Sequence, residues 1–401
     1  MPTGFRKESV AGPDMFLILL AYLAFFSIAL PDSTLGVAWP SMRLDFGQPI
    51  GAAGVVPPIG VAATLVSTAL AARLANRFGV GRLLAGSTLL SVAGLVVSAS
   101  SLRFEHFLIS VVLIGLSSGA VDATLNAYAA RTFGPRRINL LHASYVVGAA
   151  ASPLLVTATV QSGLGWRLPY LIIAVVQLAL GLFFLRTHRR WGSAGRDAER
   201  GERARWRQHR PLDVSLGLAT VAVQTGIESS VALWAFTFLT LGVGVDPVLA
   251  GTLSSGYWLT MFAGRVLLGW LAERTGPWPV LGGAAVGLVL AGVLAMLNTP
   301  VAAIAAVLLF GLAAAPIYPL LTLTTAERTS TAIVDTVIGL QAGASALGAA
   351  ILPLVVGLAM NQAVSAFAPV LLVACLVAAA LHAVLQLRRP RSRGSRTRET
   401  A

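Results

Sequence analysis

Long apolar stretches alternate with short polar segments along most of the chain. A helix needs roughly 20 apolar residues to cross a bilayer core about 30 Å thick. Twelve stretches reach this length, near residues 15–39, 50–72, 82–101, 106–130, 139–161, 167–186, 212–241, 247–272, 278–298, 300–325, 332–359 and 363–387. The pattern predicts an all-α, polytopic membrane protein with twelve transmembrane helices.

One polar interruption is much longer than the others and divides the twelve stretches six and six. It covers residues 187–211 and holds eight arginines and three acids, which predicts a cytoplasmic linker in contact with anionic lipid head groups. The predicted organisation is a cytoplasmic N-terminal segment (1–14), a six-helix bundle (15–186), the linker (187–211), a second six-helix bundle (212–387) and a basic cytoplasmic tail (388–401).

The two predicted bundles carry related sequences. The segment ARLANRFGVGRLL from Ala72 aligns with GWLAERTGPWPVL from Gly269, and Gly115 aligns with Gly311 at nearly the same offset. Matches in one order at one offset indicate a duplicated, pseudo-symmetric six-helix half. Parallel repeats of this kind place a substrate site between the halves, near the bilayer midplane.

Composition excludes a soluble protein and therefore a soluble enzyme. Hydrophobic residues make up 56% of the chain and charged residues only 11%. The net charge of +13 comes almost entirely from arginines in the segments between or after the apolar stretches. Such a distribution reports membrane orientation, and no folded basic domain exists to read a nucleic acid.

The arginines also predict which face is cytoplasmic. If the N-terminus lies inside, the outer segments hold only Arg43, Arg103 and Arg167, and the inner segments hold the rest. Cytoplasmic loops collect basic residues, so we predict a multi-pass protein of the plasma membrane with both termini in the cytoplasm.

The chain offers no chemistry for covalent catalysis or metal binding. Cys375 is the only cysteine, so it can form neither an internal disulfide nor a cysteine metal site. No metalloprotease, dithiol, phosphate-loop or nucleophile-elbow motif is present. We predict no enzyme activity, no cofactor and no metal.

Four ionisable residues within apolar stretches are the candidates for proton coupling. They are Asp122, Glu228, Asp32 and His142. Asp122 also has an amide, Asn126, four residues later on the same helix face. An ionisable group inside a spanning helix is expensive and usually faces the bundle interior or a water-filled cavity. Because burial favours the neutral form of a carboxyl group, protonation can be linked to rearrangement of the helices. Each acid has an alternative role as a structural carboxylate.

Amide and aromatic side chains in the same stretches are the candidates for substrate binding. Amides can bind sugar hydroxyls or bridge helices, and aromatic rings can stack on a sugar or pack in the core. The candidates are Asn126, Tyr145, Gln177, Gln224, Trp234, Tyr257, Trp258, Tyr318 and Gln341. We expect Arg265, deep in the eighth stretch, to extend to the inner face or meet Glu273 rather than to bind substrate.

Two short loops, after the second and eighth stretches, resemble the loop signature of the major facilitator transporters. Its matching positions, which the resemblance implies to act in conformational change, are Arg73, Asn76, Arg77 and Gly79 in the first copy and Glu273, Arg274 and Gly276 in the second. The first copy departs from the signature at Asn76, where an acid is usual.

Within that superfamily the chain is most similar to the fucose permease-like branch of sugar and proton symporters. The similar segments are LLHASYVVGAAASPLL from Leu140, TGIESSVALW from Thr225 and APIYP from Ala315, together with Asp122 and Asn126. In that branch, acids of spans one and four are associated with proton coupling and sugar recognition. The resemblance implies these roles for Asp32 and Asp122.

Two transport functions remain open from the sequence. The first, which we favour, is proton-coupled symport of a small polar solute such as a sugar. The second is proton-coupled efflux of amphipathic compounds. It is favoured by Gly148, Ser152 and Pro153, whose spacing half matches an antiporter signature. A receptor without transport is disfavoured because no soluble domain is appended. The expected partners are a small-molecule substrate, protons and the lipid bilayer, and the expected state is a monomer.

Overall fold

The computed structural model describes residues 14–192, 211–329 and 333–388 and is helical throughout the membrane region. The first half contains α1 (Met15–Asp45), α2 (Val56–Phe78), α3 (Val80–Ser100), α4 (Phe104–Thr132), α5 (Pro135–Gln161) and α6 (Arg167–Thr187). The second contains α7 (Pro211–Thr237), α8 (Pro247–Thr275), α9 (Pro277–Met296), α10 (Pro300–Ala314), α11 (Ile317–Leu323), α12 (Thr325–Arg328), α13 (Val334–Met360) and α14 (Phe367–Leu387). Short turns of helix precede α2 (Ile50–Val55) and α14 (Val364–Ala366) and follow α6 (His188–Trp191) and α7 (Phe238–Gly242).

The described residues contain eleven helical segments that are long and apolar enough to span a bilayer. The remaining span is α8, which has 29 residues but is less apolar because it carries serines, a tyrosine and Arg265. The predicted all-α fold is thereby confirmed. The tenth predicted span is not one continuous helix, because it breaks between α10 and α11 at Ala315 and Pro316. The predicted N-terminal segment, linker and tail lie largely outside the described residues.

The two halves meet through three helix pairs: α1 with α7, α2 with α13, and α5 with α8. We call the membrane face where α1 begins and α14 ends the terminal face, and the other the opposite face. All three pairs touch toward the opposite face, where glycines in α1, in the turn before α2, in α8 and in α13 permit a close approach. This glycine seam consists of Gly36, Gly51, Gly54, Gly251 and Gly357.

A side chain would obstruct the contacts of the glycine seam: Gly36, Gly51 and Gly54 approach backbone atoms of the other half, and Gly251 meets the side chain of Thr157. A Cβ at Gly36 would lie 2.7 Å from the carbonyl oxygen of Ala232 in α7, and one at Gly54 would lie 3.0 Å from the Cα of Leu354 in α13. The amide of Gly51 also donates to Asn361 Oδ1 at 2.7 Å. The halves are closed together at the opposite face, and the space between them opens toward the terminal face.

The buried apolar residues follow the same division. One cluster runs through both halves and includes Trp39 and Trp234, whose indole nitrogens donate to the carbonyls of Ile50 at 2.6 Å and Pro353 at 2.9 Å. A second cluster near the terminal face, which includes the fully buried Phe184, belongs to the first half alone.

A substitution at Gly348 tests the helix packing inside the second half. A Cβ there would lie 2.9 Å from the Cα of Ala222 in α7 and closer still to its carbonyl oxygen. Gly348→Leu is expected to destabilise the folded protein by about 1–3 kcal/mol, the usual cost of overpacking, and to lower its melting temperature in detergent. Gly343→Leu is the control, since a Cβ at Gly343 of the same helix meets nothing within 4 Å. Equal melting temperatures for the two variants would contradict this packing.

Candidate functional site

A central cavity of about 600 Å³ lies between the two halves. Its wall is mainly apolar beside α2 and the first three turns of α4, where it includes Val56, Val61, Val111 and Ile114. Polar groups reach it mainly from α1, α4, α5, α7 and α8. The charged or titratable residues in the lining are Asp32, Asp122, His142, Tyr145, Tyr170, Glu228 and Arg265.

Asp32 reaches the cavity from α1 and is held by α5. Tyr145 Oη donates to Asp32 Oδ2 at 2.8 Å. The preceding residue, Pro31, lies inside the helix and has no N–H to donate to the carbonyl four residues earlier. That carbonyl belongs to Ser27, and Gln177 Nε2 of α6 donates to it at 3.0 Å. The proline next to the acid is therefore compensated by an amide from a neighbouring helix.

Asp122 lies on α4, which packs very closely on α2. Gly115 permits this approach, since a Cβ there would lie 2.7 Å from the Gly60 carbonyl oxygen, and Thr64 Oγ1 donates to the Gly115 carbonyl at 3.2 Å. Asn126 Nδ2 donates to Asp122 Oδ1 at 3.0 Å. Asn126 is not in the cavity lining, so in this conformation it supports Asp122 rather than facing a substrate.

Glu228 reaches the cavity from α7 and accepts hydrogen bonds from Gln224 of the same helix and from Tyr257 of α8. Gln224 Nε2 donates to Glu228 Oε2 at 3.1 Å and to the carbonyl of Ala314, the last residue of α10, at 3.3 Å. Tyr257 Oη of α8 donates to the backbone carbonyl of Glu228 at 3.0 Å. Gln224 thus links α7 to the place where the tenth span breaks, and Tyr257 links α7 to α8.

Asp32 and Glu228 occupy equivalent positions in the two halves. Each lies one helical turn before the point where α1 crosses α7, at Gly36 and Ala232. At 1.5 Å per residue, each is about 26 Å along its helix from the terminal-face end. The two carboxyl groups therefore flank the cavity directly beneath the glycine seam.

Arg265 lines the cavity from α8, contrary to the expectation that it extends to the inner face or meets Glu273. Its hydrogen bond in the structure is a weak one, from Nη2 to Met261 Sδ at 3.7 Å. At 1.5 Å per residue it lies about 15 Å along α8 from Thr275, too deep for its side chain to be drawn to the terminal face. His142 also lines the cavity, with its ring edge-on to Phe25 at 5.5 Å between centroids.

The predicted substrate residues divide into two groups. Tyr145 and Trp258 line the cavity. The others have contacts elsewhere: Gln341 Nε2 donates to Thr325 Oγ1 at 2.9 Å, and the buried Gln177, Gln224, Trp234 and Tyr257 make the bridges described above. Tyr318 is half-buried on α11 and outside the lining, so this conformation does not place that group against a substrate.

Sequence reasoning did not assign six polar lining residues to the site: Thr64, Ser98, Ser118, Tyr170, Ser229 and Arg265. Helical periodicity could have identified Ser118 as a lining residue, since it lies one turn before Asp122 on the same face. Ser229 follows Glu228 directly. Thr64 carries no such signal, because an isolated threonine in an apolar span is common.

The two signature loops have matching conformations at the terminal face. Gly79 and Gly276 begin α3 and α9 with φ of 87° and 86°, a backbone region that favours glycine. Arg77 lies over the Phe78 ring and Arg274 over the Trp270 ring. Arg73, Asn76 and Glu273 are exposed there. The part these loops take in conformational change stays a prediction.

Two pseudo-symmetric helical halves around a central, partly polar cavity define the class of protein: a membrane transporter that binds a small molecule within the bilayer. The sequence profile described as Major Facilitator Superfamily matches residues 21–353 and 216–401. The chain belongs to the Major Facilitator Superfamily, and the resemblance noted from its loops is confirmed.

Individual relatives are distant. The chain is 21% identical over 358 residues to the glucose/mannose transporter GlcP of Bacillus subtilis (strain 168), covering 86% of this chain and 88% of GlcP. Its fold is similar to that of the nucleoside transporter NupG, with a TM-score of 0.73, 16% identity and coverage of 93% and 99% of the two chains. It is also similar to FucP in its outward conformation, with a TM-score of 0.60, 16% identity and coverage of 92% and 99%. These structures share the fold.

Proposed function

We propose that this protein is a proton-coupled secondary transporter that carries a small polar solute, of the sugar class, by alternating access. The observation that supports the proposal best is the placement of Asp32 and Glu228. They are pseudo-equivalent carboxyl groups that border the cavity one turn from the glycine seam. Asp122 adds a third carboxyl group to the same cavity.

This placement can link protonation of the acids to the opening and closing of the glycine seam. A charged carboxylate is costly to enclose between closing helices, and the cost falls when the group is neutral or paired. Because α1 and α7 each carry an acid next to their crossing point, the charge of the acids biases how the two helices meet. Protonation and substrate binding in the cavity can then select the same rearrangement.

Three features support a sugar as the solute. The similarity to the fucose permease-like branch and to the glucose/mannose transporter GlcP points to that class. The cavity offers carboxyl, hydroxyl and imidazole groups for sugar hydroxyls, from Asp122, Ser118 and His142. Trp258 adds an aromatic surface for an apolar ring face.

The alternative function, proton-coupled efflux of amphipathic compounds, is supported by the apolar wall of the cavity. Val56, Val61, Val111 and Ile114 would contact the apolar part of such a compound, while the acids of α1 and α7 would contact its polar part. Proton coupling through the same acids is common to both functions.

Purified protein in proteoliposomes tests the proposal. Labelled D-glucose and D-mannose are supplied outside under an inward proton gradient, with and without a protonophore. Gradient-dependent accumulation of either sugar is the expected result. If neither sugar accumulates and a hydrophobic dye is extruded instead, the sugar assignment is wrong and the efflux function holds.

The orientation is proposed with the function. The arginine-rich terminal face would be cytoplasmic and the glycine seam would close the outer face of the plasma membrane. A protease-cleavable tag is attached to either terminus, and protease is added outside intact cells. The tag is expected to remain uncleaved at both termini.

A further inference from the structure

Arg265 is a cation in the cavity that is near enough to Glu228 to interact with its charge but is not shown in a salt bridge with it or with another described acid. Among the described residues, no carboxylate lies within the 4.0 Å of an ion pair with Arg265. Its contact with Met261 Sδ uses one of five N–H donors. The three acids of the cavity are each engaged with another side chain: Asp32 with Tyr145, Asp122 with Asn126, and Glu228 with Gln224.

A guanidinium in a spanning helix is expensive and marks a substrate pathway or a pairing partner. Here, among the described residues, no acid is in direct ion-pair contact with it, while the side chain is exposed and lines the cavity. The planar fork of an arginine fits a carboxylate through two parallel hydrogen bonds. A direct ion-pair partner is therefore best supplied by an anionic group of the ligand.

We propose that Arg265 binds the carboxylate of the transported solute, so that the protein prefers a sugar acid, a polyhydroxylated monocarboxylate, to the corresponding neutral sugar. This inference rests on the proposed transport function. A doubly charged phosphate fits less well, because a single cation would have to balance it beside three acids. A cavity of about 600 Å³ has room for a monosaccharide.

The proposal also accounts for coupling to protons. The titratable groups facing the cavity with Arg265 are Asp32, Asp122, His142, Tyr145, Tyr170 and Glu228. An anion held at Arg265 repels the charged forms of the acids and is accommodated when they are neutral. Solute and proton then stabilise each other in the cavity, which is the thermodynamic condition for symport.

The test compares D-glucuronate with D-glucose, which differ by the carboxylate at one carbon. Binding to the purified full-length protein is measured by titration calorimetry, and accumulation by proteoliposomes under an inward proton gradient. The variants are Arg265→Gln, which removes the charge, and Arg265→Lys, which keeps the charge but not the fork. Arg82→Gln is the control, because Arg82 is exposed on α3 and outside the cavity lining.

The wild-type protein is expected to bind glucuronate at least about 10-fold more tightly than glucose. Arg265→Gln should weaken glucuronate binding by roughly 10- to 100-fold, as loss of hydrogen bonds to a charged group does, and leave glucose binding unchanged. Arg265→Lys should recover part of the loss, and Arg82→Gln should match the wild type.

The outcomes separate this inference from the function on which it rests. If glucose accumulates under the gradient and glucuronate does not, the transport function stands and the role of Arg265 is overturned. A preference for glucuronate that survives in Arg265→Gln also overturns it. If neither sugar binds or accumulates, the sugar assignment fails and the inference fails with it.

Discussion

Asp122→Asn is expected to abolish gradient-driven accumulation of substrate while sparing exchange of substrate across the bilayer. With an inward gradient of two pH units, one-to-one coupling supports a concentration ratio of up to about 100. In the variant the ratio should fall to about one, because an uncoupled carrier only equilibrates its substrate. Both quantities are measured in proteoliposomes, accumulation with an imposed gradient and exchange without one.

The physical reason is that asparagine keeps the shape and part of the hydrogen bonding of Asp122 but can no longer gain or lose a proton. Asn126 donates to the Asp122 carboxylate and can donate equally to an amide oxygen at that position. The packing of α4 on α2 does not involve the carboxylate, since it rests on Gly115 and Gly119. The loss should therefore be one of coupling and not of folding.

Asp335→Asn is the matched control for this change. Asp335 is exposed in the first turn of α13 and outside the cavity lining, so the same substitution there should leave the accumulation ratio unaltered. Undiminished accumulation by Asp122→Asn would remove Asp122 from coupling and leave the task to Asp32 or Glu228.

Most of the fold follows from hydropathy, because bilayer thickness sets how long an apolar stretch must be. The ends of the helices follow other rules and were less predictable. α1 continues to Asp45, beyond the predicted end near residue 39, since the chain stays helical where it leaves the apolar layer. The tenth span breaks at Pro316, a residue without the backbone N–H that a continuous helix needs.

The acids of the site were predictable because a carboxyl group in an apolar span is rare and needs a reason. Asp32, Asp122 and Glu228 all line the cavity. Amides do not carry this signal, since one amide can satisfy a backbone carbonyl of another helix. Gln177 does so at Ser27, and this pairing depends on how α6 packs on α1, which no local sequence pattern reveals.

The direction of the Arg265 side chain is a second feature that the sequence alone could not predict. The position of Arg265 ten residues before the end of α8 determines its depth but not the direction of its side chain. Which direction it takes depends on the rotation of α8 against α5 and α10. Helix rotation of this kind is decided by packing across the whole bundle and not by the residues around Arg265.

Gly36→Leu is expected to hold the opposite face of the transporter open and to reduce net transport at least about 5-fold. A Cβ at Gly36 would lie 2.7 Å from the Ala232 carbonyl oxygen and 2.9 Å from that of Leu233. These are backbone atoms of α7, which cannot rotate away as a side chain could. The closed seam can then form only if α1 and α7 separate.

The size of the effect follows from the cost of overpacking. A cost of about 1–3 kcal/mol disfavours the state closed at the opposite face by roughly 5- to 150-fold relative to the state open there. Folding should be retained, because Gly36 packs against the other half of the protein and not within its own bundle. Melting temperature therefore separates this variant from one that is misfolded.

A cysteine at Ala349, in the cavity lining of α13, reports which face is open. It is introduced with Cys375→Ala, so that the natural cysteine does not react, and is labelled with a membrane-impermeant maleimide from one face at a time. Gly36→Leu should accelerate labelling from the opposite face at least about 5-fold. Gly283→Leu is the control, since a Cβ at Gly283 in α9 meets nothing within 4 Å.

The same experiment also tests the link between the seam and the acids beneath it. Asp32 and Glu228 lie one turn from the crossing of α1 and α7, so separating these helices exposes both acids to the opposite face. If the acids bias closure, Asp32→Asn should change the labelling rate in the wild-type background and have little further effect in Gly36→Leu, where closure is already obstructed. Equal effects of Asp32→Asn in both backgrounds would show that the acid and the seam act independently.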